Sequence, residues 1–203
     1  VNKQPELVVI AGPNGSGKTS ITEQLLIHTW VENCQYISPD LIAQNEFGDW
    51  NSPEASLQAA RKAEGLRETY LREGKSHAFE TVFSAPDKVE YVRRAKAAGF
   101  FIRFFFICTD RPEINIDRVA TRTHEGGHNV PTAKIISRYS KSIAQCATVI
   151  SFVDRAYIYD NSVEDCDPQL LFRTENGELK KIYRQPINEW ATPILIGSSG
   201  LNL

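Results

Sequence analysis

Short apolar runs alternate along this chain with longer stretches in which apolar residues recur every three or four positions. The runs Leu7–Ala11, Gln35–Ser38, His77–Phe83, Phe100–Cys108 and Ala156–Tyr159 have the length and the branched or aromatic content of strands. The segments Ser20–His28, Pro53–Glu73, Pro86–Ala98, Pro112–His124 and Pro131–Ile150 carry the helical period. Their ends agree with this. Ser52 precedes Pro53 and Ala85 precedes Pro86, each with an acid in the first turn, and Gly74 and Gly99 close two of the helices. Strands and helices in alternation predict an α/β fold with a mainly parallel sheet flanked by helices. The run FFIRFFFIC, residues 100–108, is almost continuously apolar, as in a strand covered on both faces.

Past the last of these strands the pattern changes. LLFRTENGELKKIY, residues 170–183, places two β-prone runs around Asn176-Gly177, a strong hairpin signal, with alternating charge that suits a partly exposed ribbon. The expected organisation is a core domain over residues 1–168, with a C-terminal β-hairpin appendage and trailing segment over residues 169–203 packed on it.

Composition narrows the function classes. With 203 residues, 41% of them hydrophobic, the chain can bury a sizeable core as one globular unit. A formal net charge of −2 gives no basic excess, so a nucleic-acid backbone is not the expected partner. Cys34, Cys108, Cys146 and Cys166 form no C-x-x-C pair and no disulfide framework, which suits a reducing cytoplasmic setting. No apolar run reaches the roughly 18 residues of a membrane span, and no signal peptide precedes the first strand. The expectation is a soluble, cytoplasmic protein without a membrane partner.

Candidate chemistry begins at VVIAGPNGSGKTS, residues 8–20, where a strand breaks into Gly12, Pro13, Asn14, Gly15, Ser16 and Gly17 before Lys18, Thr19 and Ser20. The spacing is that of the G-x-x-x-x-G-K-[ST] phosphate loop between a strand and a helix. Glycines let the backbone curl its N–H groups closely around a polyphosphate. Lys18 supplies a cation for the outer phosphates, the Thr19 hydroxyl suits Mg²⁺, and the following helix turns its positive end to the anion. A nucleoside triphosphate, ATP with Mg²⁺, is the ligand expected.

Ligands of an open parallel sheet bind beyond the carboxyl ends of its strands, which draws attention to acids placed there. Asp40, in YISPDLIA, has two balanced readings: a functional carboxylate beside the loop, or a helix-start acid behind the cap Ser38 and Pro39. Glu80, in HAFETVF, shares a strand face with Ala78 and Val82, so a carboxylate sits on an otherwise apolar face. A buried carboxylate needs a partner, which points to a substrate or metal-water contact ahead of a structural salt bridge. Arg118 and Arg122 share a helix face, and after the flexible EGGHN segment Lys134, Arg138 and Lys141 form a second basic stripe. Phosphoryl transfer needs such cations on a segment that closes over the nucleotide, with Gly126 and Gly127 as its hinge. His124 and His128 find no third metal ligand in sequence reach.

Taken in order, AGPNGSGKT, SPDLIA, AFETVFS, AAGFFIRFFFI, RVATRTHEGGHNVPTAKIISRY and YIYDNS resemble the zeta-toxin family of kinases over Val8 to Ser162. The resemblance implies a phosphate-loop kinase fold and transfer of the ATP γ-phosphate to the 3′-hydroxyl of UDP-N-acetylglucosamine or a related sugar nucleotide. It assigns phosphates and Mg²⁺ to Lys18 and Thr19, and to Asp40 the carboxylate that accepts the substrate hydroxyl proton. Glu80 matches the acid that helps hold the sugar, with Thr81 and His128 on the same substrate side. The family's phosphate-binding arginines fall in or after the closing segment, where this chain has His128 and Arg138, so Arg118 and Arg122 rest on the physical argument. A small helical antitoxin over the nucleotide site is the partner implied. Two alternatives stay open: a phosphate-loop kinase for a nucleic-acid end or an antibiotic hydroxyl, and a non-kinase ATP-binding module. Against the module, the chain has no LSGGQ-like signature.

Overall fold

A computed structural model describes residues 4–28, 34–47, 52–127 and 129–198. Its strands are β1 (Glu6–Ala11), β2 (Gln35–Ile37), β3 (His77–Thr81), β4 (Phe101–Cys108), β5 (Arg155–Asp160), β6 (Gln169–Glu175) and β7 (Glu178–Ile182). They form one sheet in the order β2-β3-β1-β4-β5-β6-β7, parallel from β2 to β5 and antiparallel through the last two. The hairpin at Asn176-Gly177 therefore extends the main sheet from β5. The helices are α1 (Lys18–Leu26), α2 (Pro39–Glu46), α3 (Pro53–Glu73), α4 (Pro86–Ala97), α5 (Pro112–His124), α6 (Thr132–Val149) and α7 (Thr192–Ser198), the last entered through a short 3-10 turn, Glu189–Ala191.

Successive residues of β1 point into two different cores. Leu7, Val9 and Ala11 join the larger one with α3, α4, α6 and α7, while Val8 and Ile10 face Ile21 and Leu25 of α1. Every residue of β4 after Phe101 is buried, as the apolar run required. The one charge in that run, Arg103, pairs with Glu6 at 2.9 Å and lies over the Phe101 ring.

Two local differences from the sequence pattern shape the site. β3 ends at Thr81, two residues short of the apolar run, because the Phe83 N–H donates to Thr81 Oγ1 and Phe83 takes a left-handed backbone (φ 58°). The bend is held from outside: the Ser142 hydroxyl on α6 donates to the Val82 carbonyl at 2.6 Å, and the Phe83 ring packs on Phe104 with centroids 5.0 Å apart. Residues 39–46 are a full helix, α2, so the start signal Ser38-Pro39-Asp40 opens a real element, with Ser38 Oγ accepting from the Leu41 N–H.

Candidate active site

The loop between β1 and α1 lies at the carboxyl end of β1, which runs between β3 and β4. The Gly12 N–H donates to the Thr81 carbonyl, tying the loop's first residue to the end of β3. A Cβ on Gly12 would collide with the Ile107 carbonyl of β4, and one on Gly17, at φ 84°, with the Asn161 side-chain amide. These approaches require glycine. The N-cap of α1 is Gly17, with no side-chain cap and no acid in the first turn, whereas α2 and α3 are capped by Ser38 and Ser52. The first-turn donors and the helix dipole of α1 are thus left for an external anion.

Lys18 is buried, its Nζ donating to the Pro13 carbonyl at 2.9 Å. Burial lowers its pKa; nearby Glu80 opposes that shift and the positive charge of Arg122 adds to it. Thr19 and Ser20 are exposed on the first turn of α1. This donor set fits a polyphosphate. For Mg²⁺ it offers one hydroxyl, Thr19, and the described residues hold no cluster of three acidic, His or Cys side chains, which suits an ion held mainly through phosphate oxygens and water.

Against the loop opens a cleft of about 640 Å³. Its walls include Lys18 and Thr19 from α1, Asp40 from α2, Glu80 and Thr81 from β3, and Arg122 from α5. Asp40 is exposed there and sits in the first turn of α2, so its two sequence readings describe the same position. Glu80 is half-buried on the α1 side of the sheet and accepts from the Thr22 hydroxyl at 2.9 Å. Tyr36 lines the same cleft as the two carboxylates. Burial, then the charge of Glu80, raises its phenol to about 12 against hydrogen bonds with Ser38 and Thr22, and Asp40 adds to the rise. The phenol is therefore neutral at physiological pH and able to donate.

The arginines part company. Arg122 lines the large cleft. Arg118, one turn earlier, lines a second, separate cleft of about 540 Å³ with Gly17, Ser20, Asn161 and residues 163–167. Its Nη1 donates to the Asn161 carbonyl at 2.8 Å and its Nη2 to that of Val163 at 3.5 Å. Arg138 donates to Asn14 Oδ1 at 3.1 Å, while Lys134 and Lys141 of the same stripe are exposed on α6. His128 lies outside the described residues.

Sequence reasoning passed over Thr22, Tyr36, Asn115 and Asn161. For Thr22 the signal was present, since it lies one helical turn from Lys18 on the same face. Asn161 stands just past β5, where the rule applied to Asp40 also holds. Asn115 has no such marker.

The zeta toxin family model matches residues 1–167. The chain belongs to the zeta toxin family. An uncharacterized protein of Haemophilus influenzae (strain ATCC 51907 / DSM 11121 / KW20 / Rd) is 27% identical over 138 residues, 67% of this chain and 94% of that protein. Among solved structures, the AvrRxo1-ORF1:AvrRxo1-ORF2 complex with sulphate ions superposes with a TM-score of 0.66 at 21% identity, covering 96% of this chain and 64% of that one. The chain thus spans under two thirds of that structure's length. A chain from the PezAT chromosomal toxin-antitoxin system of Streptococcus pneumoniae gives 0.63 at 18% identity, covering 98% and 79%. A putative kinase from Chloroflexus aurantiacus gives 0.51 at 18%, covering 69% and 80%. These likenesses fix the fold as phosphate-loop kinase-like. Among the described residues no helix is long and apolar enough to cross a membrane.

Proposed function

We propose that this chain is an ATP-dependent phosphotransferase that moves the γ-phosphate to a hydroxyl of a small molecule, with a UDP-N-acetyl-sugar as the acceptor class. The observation that carries the reading is the pair of separate clefts, with no lining residue in common, that open against one phosphate loop. The smaller, beside Arg118 and Asn161, takes the nucleoside; the larger, walled by Asp40 and Glu80, takes the acceptor. A plain ATPase has no use for the second.

The chemistry asked of the protein is positioning and charge stabilisation. The loop N–H groups and Lys18 hold the β- and γ-phosphates. Mg²⁺ held by the Thr19 hydroxyl and the phosphates would neutralise charge on the transferred group. Arg122, facing the same cleft, is placed to meet negative charge on the moving phosphoryl group, while Arg118 and Arg138 shape the loop and its neighbours. Asp40 accepts the proton of the attacking hydroxyl, and Glu80, braced by Thr22, binds a second acceptor hydroxyl. Tyr36, neutral with its raised pKa, donates to the acceptor.

The family membership and the toxin-antitoxin origin of a fold neighbour support a small protein partner covering this edge as well. Incubation with γ-labelled ATP and a panel of UDP-N-acetyl-sugars, other hydroxylated small molecules and nucleic-acid 5′ ends tests the reading. Labelled sugar nucleotide is the expected product. Label appearing only as free phosphate across the panel defeats the transferase assignment, and label on a nucleic-acid end moves the acceptor class.

A further inference from the structure

We propose that Asn115 and Asn161 are positioning residues that lock two peptide units of the phosphate loop in the orientation that presents their N–H groups to phosphate. The proposal rests on the reading of that loop as a triphosphate site.

The argument starts from the glycines. Gly15 and Gly17 have φ of 75° and 84°. A residue without Cβ takes either sign of φ at little cost, so the peptide preceding a glycine is easily turned over. Turning it over points its carbonyl, with the wrong partial charge, where its N–H should be. In a planar trans peptide the C=O of one residue and the N–H of the next point in opposite directions. Whatever holds the Asn14 carbonyl therefore fixes the Gly15 N–H, and whatever holds the Ser16 carbonyl fixes that of Gly17.

Both carbonyls are held by side-chain amides from distant parts of the chain. Asn115 Nδ2, from the first turns of α5, donates to the Asn14 carbonyl at 2.6 Å. Asn161 Nδ2, just past β5, donates to the Ser16 carbonyl at 2.9 Å. Each asparagine is itself anchored. Asn115 is fully buried and its Oδ1 accepts from the Thr109 hydroxyl, which sets which end of the amide faces the loop. The Asn161 backbone N–H donates to the Cys108 carbonyl at 2.8 Å, and its own carbonyl accepts from Arg118. Asn115 lines neither cleft. Any effect of Asn115 on ligand affinity must then pass through the loop.

The test uses inorganic tripolyphosphate, which has no base or ribose, alongside ATP, on the full chain and on the neutral variants Asn115→Leu and Asn161→Leu. Calorimetry on each folded variant is expected to show tripolyphosphate and ATP bound about 10–100-fold more weakly than by wild type, the scale of one lost buried hydrogen bond. With tripolyphosphate added, the Gly15 and Gly17 amide resonances should shift in wild type and stay put in the matching variant. Variants that fold and bind tripolyphosphate as wild type does, whatever their melting temperature, overturn the proposal. If Asn115→Leu does not fold, Thr109→Val, which frees the amide to rotate, and Asn161→Leu decide on the same readouts. Wild-type protein that binds neither ATP nor tripolyphosphate would defeat the nucleotide reading itself, an outcome separate from variants that bind normally.

Discussion

At the scale of single residues, the role of the larger cleft turns on what Asp40 is for. It occupies the first turn of α2 and the cleft wall at once, so position alone serves both a dipole contact and a general base. Asp40→Asn separates them. As the base, its loss should leave ATP affinity near wild type and lower transfer about 10²–10⁴-fold; as a dipole partner alone, it should cost about 0.3–1 kcal/mol of stability with transfer intact. ATP titration, transfer rate and melting temperature on this variant give the answer, and the transfer-dead, ATP-binding outcome is expected. Of the residues lining that cleft, Lys18 and Glu80 were marked in the sequence by a charge against a glycine-rich or apolar background, whereas Asp40 kept two balanced readings. Asn115 and Asn161 were not marked, because a neutral amide leaves no trace in hydropathy and their partners lie 101 and 145 residues away.

At the scale of elements, the ends line the candidate site and the middles build the core. Helices α3 and α5 run over the same residues that the pattern marked, because Pro-first starts and a closing Gly leave little latitude. The end of β3 was harder to place. Phe83 is apolar enough to prolong a strand, yet its side chain turns into the larger core and its backbone is fixed by Thr81 and by Ser142 from α6, contacts that local sequence does not display. Helix α2 positions Asp40 and depends on its cap. Ser38→Ala removes the acceptor of the Leu41 N–H and should cost about 1 kcal/mol. Because Ser38 also supports Tyr36, the acceptor KM should rise more than the ATP KM. Equal changes in both constants would mean that α2 does not serve the acceptor side.

At the scale of the whole molecule, the α/β class was legible from alternation, and so was the hairpin; the spatial order of the strands was not, because chain order says nothing of which strands become neighbours. Stability should bear the mark of His77, which is fully buried at the opposite end of β3 from the site, with Nδ1 2.8 Å from the Lys75 carbonyl and Nε2 2.7 Å from the Tyr91 hydroxyl. Burial lowers its pKa below 6.5, the hydrogen bond with the Lys75 carbonyl opposes that shift, and the charge of Arg67 adds to it. Below pH 6.5 the unfolded chain therefore binds a proton that the folded chain refuses. The contribution is complete above that pH and is lost as pH falls toward the folded pKa. Melting temperature should decline from pH 7 to pH 5 in wild type and less steeply in His77→Phe, and equal slopes would remove His77 from the account. The placement of β1 between β3 and β4 has a consequence in time as well. Leu7 is in register with His77 on one side and Ile102 on the other. A ribosome adding about 5–20 residues per second finishes the phosphate loop on the order of 10 s before the last strand that flanks it. Through that interval the emerging chain already carries the whole Gly12–Thr19 motif without the sheet that shapes it, so the loop on a growing polypeptide stays without its framework until β4 has left the exit tunnel.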